Sequence, residues 1–253
     1  MAFSLIDETA GAVPIVLLAK DRLAQWLAEA GEGERNWLAA TGFAAEPGAH
    51  ALVPGEAGRL GRVVVGLDGR KEPGAAVWAL AGLPEALPEG NYRLEAVPAG
   101  LDPTRLALGW ALATYVFDRY RAKKRSKAAL VWPAAADRER VLALARAVFL
   151  ARDLVNTPAG DMGPAELAER AAAVAEQVGA RCRIIVGDEL LAENYPTIHA
   201  VGRASARAPR LVDIRWGDPA APRVSLVGKG VCFDTGGLDL KTASGMRLMK
   251  KDM

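Results

Sequence analysis

The chemically capable residues of this chain crowd into one segment: Val227-Gly228-Lys229-Gly230-Val231-Cys232-Phe233-Asp234-Thr235-Gly236-Gly237, followed by Asp239, Lys241, Met249 and Asp252. The apolar run Val224-Ser225-Leu226-Val227 ahead of it reads as a buried strand that delivers Lys229 at its end. Strand ends of open α/β sheets are where ligand crevices form. Glycines let the backbone turn tightly and approach a ligand closely. Lys229, Asp234, Lys241 and Asp252 can therefore converge on one crevice. Carboxylates without histidine suit hard divalent cations such as Mg or Mn, or a two-metal hydrolytic site.

Other readings of the same residues compete. Lys229 could be a phosphate lysine, but GxxxxGK[ST] is absent. Asp234-Thr235-Gly236 resembles the Asp-Thr-Gly of aspartic proteases, which need an all-β lobe and a second Asp from a partner lobe. A glycine-rich structural turn carrying surface charges remains open, because spacing alone does not prove convergence.

The elements that must position these residues alternate between strand and helix. Pro14–Leu18, Arg62–Leu67 (closed by Asp68-Gly69), Tyr92–Ala96 and Ala128–Trp132 read as strands. Helical spacing marks Arg22–Ala30, and Ala75–Leu83 reads as a short helix. Asp102-Pro103 opens a helix expected to run to about Arg121, Asp as N-cap and Pro at the first position. Asp137–Val155 is strongly helical, and a further helix starts at Gly163-Pro164 and ends at Gly179. Arg183–Val186 is a strand, Glu189–Ala192 a helical turn, and the apolar runs His199–Val201, Leu211–Ile214 and Val224–Val227 follow. This alternation predicts α/β layers around a mainly parallel sheet. Two domains are expected, residues 1–135 and 136–253.

Composition bounds the function. The chain has 253 residues, 51% of them hydrophobic and 25% charged, which excludes disorder as the whole answer. A net charge of +2 argues against a dedicated polyanion binder. The only cysteines, Cys182 and Cys232, form no CxxC or Cys/His cluster, so neither a disulfide framework nor a structural zinc site is expected. Cys232 reads as a small buried hydrophobe and the six tryptophans as core or interface. His50 and His199 lack companion ligands and read as structural or surface residues. No apolar stretch is long enough for a membrane span, and the acidic N-terminus is not a secretory signal, so a cytoplasmic location is expected. Arg119, Arg121, Lys123, Lys124, Arg125 and Lys127 form a basic run that reads as a solvated helix end.

Val227–Met253 closely resembles the metal-site signature of the leucyl aminopeptidase family, the cytosol aminopeptidases or peptidase family M17. The matching residues are Val227-Gly228-Lys229-Gly230, Phe233-Asp234-Thr235-Gly236-Gly237, Lys241 and Asp252-Met253. Three further blocks match in family order: Ala151–Pro158 with Asp161, Met162 and Pro164; Ala200–Ser205 with Pro209-Arg210-Leu211; and, more weakly, Phe117–Tyr120. The first hundred residues match in general character only.

The resemblance implies a small N-terminal α/β domain, similar to the macro-domain fold, followed by the start of a zinc-peptidase-like α/β catalytic domain. It implies that Lys229, Asp234 and Asp252 are ligands of two divalent ions (Mn or Zn, or else Mg), with Asp234 bridging. Lys241 would be catalytic, polarising the substrate carbonyl and stabilising the gem-diolate, and Met249 would line the pocket for the substrate's N-terminal side chain. The substrates would be peptides, the assembly a homo-hexamer, with no membrane and no nucleic acid. The chemistry is consistent: a lysine ligates only as the neutral amine, which a nearby dication favours. Arg247, Thr242 and Asp239 depart from the family pattern and bear on substrate preference. The family continues beyond the equivalent of Asp252 with an Asn-Thr-Asp-Ala-Glu-Gly-Arg block carrying a further Asp, a Glu and an Arg. Asn156-Thr157-Pro158 is no substitute for it. The 253 residues are therefore expected to be inactive alone. The alternative is a non-catalytic assembly or binding piece, binding nucleic acid through the basic helix end.

Overall fold

The computed structural model describes residues 3–68, 75–122 and 127–252. They divide into two compact units, residues 1–149 and 150–253.

The first unit is built on a six-stranded sheet in the order β1-β6-β5-β2-β4-β3, where β1 is Leu5–Ile6, β2 Val13–Ala19, β3 His50–Pro54, β4 Leu60–Leu67, β5 Gly90–Leu94 and β6 Ala128–Val131. Every pairing is parallel except β3 with β4, so the expected mainly parallel sheet is found here. Strands with a two-residue side-chain period can bury both faces when helices cover both. Ile15 and Leu17 of β2 join Val63 and Val65 of β4 on one face; Val16, Leu18 and Val64 take the other.

The first face is closed by α4 (Leu83–Ala86) and α5 (Pro103–Ala113) through Leu83, Leu106 and Trp110. The second is closed by α1 (Leu23–Glu29) and α2 (Glu32–Ala40) through Leu23, Trp26, Leu27 and Leu38. Burying each of Leu38, Leu83 and Leu106, which are almost wholly inaccessible, contributes about 1.5–3 kcal/mol. Trp110 is fully buried and its Nε1 donates to the Ser4 carbonyl at 3.1 Å. Gly109 is required beside it: a Cβ there would lie 1.7 Å from the carbonyl oxygen of Val77, in α3 (Ala75–Trp78). Of the tryptophans, Trp110 alone is fully buried among the described residues; Trp37, Trp78 and Trp216 are exposed.

Helix α5 starts as expected, with the Asp102 carboxylate accepting from Thr104 N at 2.8 Å. It ends at Ala113, not near Arg121. The Thr114 hydroxyl donates to Ala111 O at 2.8 Å, and a β-branched and aromatic run follows in which Tyr115 packs edge-on against Phe149. Arg119 and Arg121 therefore lie in a bend rather than at a helix end, and Lys123, Lys124 and Arg125 lie outside the described residues.

Helix α6 (Arg138–Asn156) gives Val141, Ala145 and Phe149 to a cluster with Phe3, Ala107, Ala111 and Leu112. In the second unit α7 (Pro164–Gln177) packs on a two-stranded sheet of β7 (Arg181–Val186) and β8 (Arg210–Arg215), with α8 (Glu189–Ala192) and α9 (Pro196–Gly202) between the strands in sequence. This pair is antiparallel, from Arg181 opposite Arg215 to Val186 opposite Arg210. His199–Val201 lies in α9, which starts with Pro196 at its first position. No described residue between Trp216 and Thr242 is in a helix or strand. The buried strand expected at Val224–Val227 is not formed: Val224, Leu226 and Val227 are 83%, 95% and 98% exposed. Apolar residues form a buried strand only with paired neighbours and covered faces, and among the described residues nothing pairs with this run.

Candidate metal-site segment

Lys229 is delivered on exposed chain outside any helix or strand instead of at a strand end. The turn that follows is ordered by its own hydrogen bonds. Asp234 Oδ1 accepts from Gly236 N at 2.8 Å, the Thr235 hydroxyl donates to Gly237 O at 2.7 Å, and Lys241 N donates to Thr235 O at 2.9 Å. Gly236 and Gly237 have φ of +81° and +99°, a region that favours glycine. A Cβ on Gly236 would in addition lie 2.8 Å from Lys241 Cγ. The glycine pair thus lets the chain fold back and lays the Lys241 stem against the turn.

The result is an ion pair: Lys241 Nζ lies 2.9 Å from Asp234 Oδ2, with both side chains about a third exposed (31% and 36%). That hydrogen bond from Lys241, with the Gly236 amide behind it, holds the Asp234 carboxyl below its ordinary range; the charge of Lys229 adds to this. Lys241 Nζ also donates to Met249 Sδ at 3.1 Å. Met249 and the backbone of Asp252 belong to a 3-10 turn, Met249–Asp252, and the Asp252 side chain lies outside what is described. Of the sequence-predicted residues, Asp234, Lys241 and Met249 are brought into direct contact. Lys229 reaches Asp234 through its charge.

The departures from the family pattern have local roles. Thr242 caps the short helix α10 (Ala243–Met246), its hydroxyl accepting from Gly245 N at 3.3 Å. Asp239 is exposed, with φ +58°. Arg247 lines a depression with Phe233, Ala243, Ser244 and Met246. Cys232 is half-buried and not on a strand; desolvation pushes its thiol up, away from the thiolate form. His199 bonds Asp188 Oδ1 at 3.0 Å, a local structural role.

A carboxylate oxygen and amine nitrogens suit a divalent cation in kind. In number they fall short: among the described residues no three His, Cys, Asp or Glu side chains gather to hold a metal ion. Each Asp234 oxygen accepts one hydrogen bond, from Gly236 N and from Lys241 Nζ, and keeps a further lone pair.

Two residues beside this segment escaped sequence reasoning. Glu166 Oε2 accepts from Gly163 N at 2.9 Å, half of a capping box, since glycine has no side chain to return the bond. Arg207 donates to the carbonyls of Ala159 and Gly160. Glu at the third helical position after Gly163-Pro164 was a readable sign of the first; nothing in sequence marked the second.

A family model described as the cytosol aminopeptidase family, catalytic domain, matches residues 149–253. Another, the M17 aminopeptidase N-terminal domain, matches residues 13–133. A probable cytosol aminopeptidase of Caulobacter vibrioides is 37% identical over 217 residues, 78% of this chain and 43% of the relative. One of Leifsonia xyli subsp. xyli is 36% identical over 89% of this chain and 48% of the relative. Among solved structures, the cytosol aminopeptidase of Coxiella burnetii superposes with a TM-score of 0.90 at 41% identity, over 99% of this chain and 54% of that one. The bottromycin maturation enzyme BotP in complex with Mn follows at 0.74 and 30%, over 96% and 53%. The chain spans about half the length of the relatives it matches.

Proposed function

The chain belongs to the M17 cytosol aminopeptidase family, and from that premise we propose that the full-length protein is a metal-dependent aminopeptidase that releases N-terminal residues from peptides. The observation that carries the reading is the Asp234–Lys241 pair, held at 2.9 Å by a glycine turn. It puts a carboxylate of lowered pKa, able to ligate a cation, beside an ammonium able to stabilise developing negative charge, with both side chains about a third exposed.

Lys229, Asp234 and Asp252 would hold two divalent ions, Mn or Zn, with further ligands from the remainder of the protein. Such ions supply Lewis-acid polarisation and a water of lowered pKa. Lys241, now paired with Asp234, would stabilise negative charge developing on the substrate carbonyl oxygen. Met249, now against Lys241 Nζ, would border the site for the substrate's N-terminal side chain. The working form would be a cytoplasmic homo-hexamer, divided at residues 135 and 136 into the N-terminal and catalytic domains. Among the described residues no helix is long and apolar enough to cross a membrane.

Residues 1–253 by themselves are proposed to be inactive, since they do not contain the Asn-Thr-Asp-Ala-Glu-Gly-Arg block that the resemblance assigns a further Asp, a Glu and an Arg. The test is release of leucine from a leucine anilide with Mn²⁺ present. Full-length protein should turn over, and Lys241→Ala should lower kcat about 10²–10³-fold. Unchanged kcat in Lys241→Ala would remove the assigned role. Turnover by residues 1–253, abolished by Lys241→Ala, would overturn the inactivity of the piece.

A further inference from the structure

The second unit contains a clamp outside the candidate site. Arg207 lies in the turn between α9 and β8, where its amide donates to the Ser205 hydroxyl at 3.1 Å. Its guanidinium forks onto two successive carbonyls: Nη1 donates to Ala159 O at 2.9 Å and Nη2 to Gly160 O. Between these atoms and α7 the side chain runs across Gly163, where an added Cβ would lie 2.3 Å from Nη1 and 2.9 Å from Cδ. Nη1 is also 3.8 Å from Glu166 Oε2, the oxygen that accepts from Gly163 N. One guanidinium therefore ties the turn after α6 to the first turn of α7. A planar fork reaches the two carbonyls from separate nitrogens in a fixed geometry, which an ammonium, with its three donors on one atom, does not impose.

That first turn is a floor for the chain that leads into Asp234. Leu167, the next residue of α7, lies against Gly230, with its Cδ2 at 3.3 Å from where a Cβ would stand. Cys232 donates to Gly230 O at 3.7 Å and lies within electrostatic reach of Glu166 and Arg207, and of Lys250. Lys250 is in the 3-10 turn that carries Met249 and Asp252. Gly230, four residues ahead of Asp234, thus rests against the clamped helix start, and the Cys232 thiol feels charges from that start and from the 3-10 turn.

We infer that Arg207 is a positioning residue: by locking the turn at residues 159–163 to the start of α7, it fixes the floor on which Gly230–Cys232, and through them Asp234, are held. This rests on the reading of Asp234 as a site residue.

Hydrogen exchange and turnover of the full-length protein, as wild type, Arg207→Ala, Arg207→Lys and Asp234→Ala, test it. In Arg207→Ala, amides of residues 159–163 and of residues 230–236 should exchange about tenfold faster or more, with β4 amides unchanged. The kcat/KM for the leucine anilide should fall by about the same factor, and Arg207→Lys should fall between, keeping the charge but not the fork. Faster exchange confined to residues 159–163, with wild-type turnover, would overturn the inference. So would an Arg207→Lys protein that matches wild type in both readouts. If Arg207→Ala fails to fold, the Arg207→Lys exchange pattern decides by the same criterion. Asp234→Ala separates the two claims: turnover retained there defeats the site reading, while the exchange pattern still judges the clamp.

Discussion

Two apolar runs in this chain look alike in sequence and end in opposite environments. Val63-Val64-Val65 in β4 is fully buried, whereas Val224, Leu226 and Val227 stand almost wholly in solvent. Composition does not separate them, since both runs are rich in residues that favour strands. Partners do. The first run is paired on both edges, by β2 and β3, and covered on both faces. The second has no paired strand among the described residues. Strand formation is decided by what the ladder and the faces meet, and local sequence only permits it.

That contrast can be attacked at several points. The largest effect is expected from Trp110→Ala, which empties the centre of the first unit and removes one of the two hydrogen bonds that the Ser4 carbonyl accepts, leaving the one from Leu130 N. Chemical denaturation should show a loss of about 3–5 kcal/mol. Gly109→Ala forces a Cβ into the Val77 carbonyl and should destabilise the same transition by about 1–3 kcal/mol. Val64→Ala against Leu226→Ala sharpens the comparison directly. The buried site should lose about 1.5–3 kcal/mol and the exposed one should stay within about 0.5 kcal/mol. Equal losses at the two positions would mean that the second run is packed after all. The smallest effect is expected at Glu166. Its carboxyl is held below its ordinary range by backbone amides at the start of α7, Gly163 among them. A depressed carboxylate stabilises above its unfolded pKa and loses that contribution as pH falls through the folded value. Exchange protection at the start of α7 should therefore be present at neutral pH, fade on acidification, and be absent throughout in Glu166→Gln.

The first unit was largely legible in sequence because its signals were local and agreed with one another. Asp102-Pro103 announced a helix start, and the runs at residues 14–18, 62–67, 92–96 and 128–132 each contain or overlap a strand. The end of α5 was missed because charged residues after Phe117 extended a helical composition, while Thr114 and the packing of Tyr115 on Phe149 had already turned the chain away. His199–Val201 is too short to tell helix from strand by periodicity, and Pro196 decided it. In the candidate site, the glycine pair and the sequence order of Asp234 and Lys241 were visible beforehand. Their 2.9 Å approach was not, because it depends on the φ of Gly236 and Gly237. Arg207 could not be read at all: its partners are carbonyls 47 and 48 residues away, and carbonyls carry no side-chain signature.

The central claim is that Asp234 serves metal-dependent peptide hydrolysis, and Asp234→Ala in the full-length protein tests it most directly. Bound Mn²⁺ and release of leucine from a leucine anilide should be measured on the same preparation, with folding of the second unit checked by unchanged exchange protection in α7, β7 and β8. The account predicts that metal binding and turnover are both lost. A folded Asp234→Ala protein that binds Mn²⁺ and turns over like wild type would contradict it.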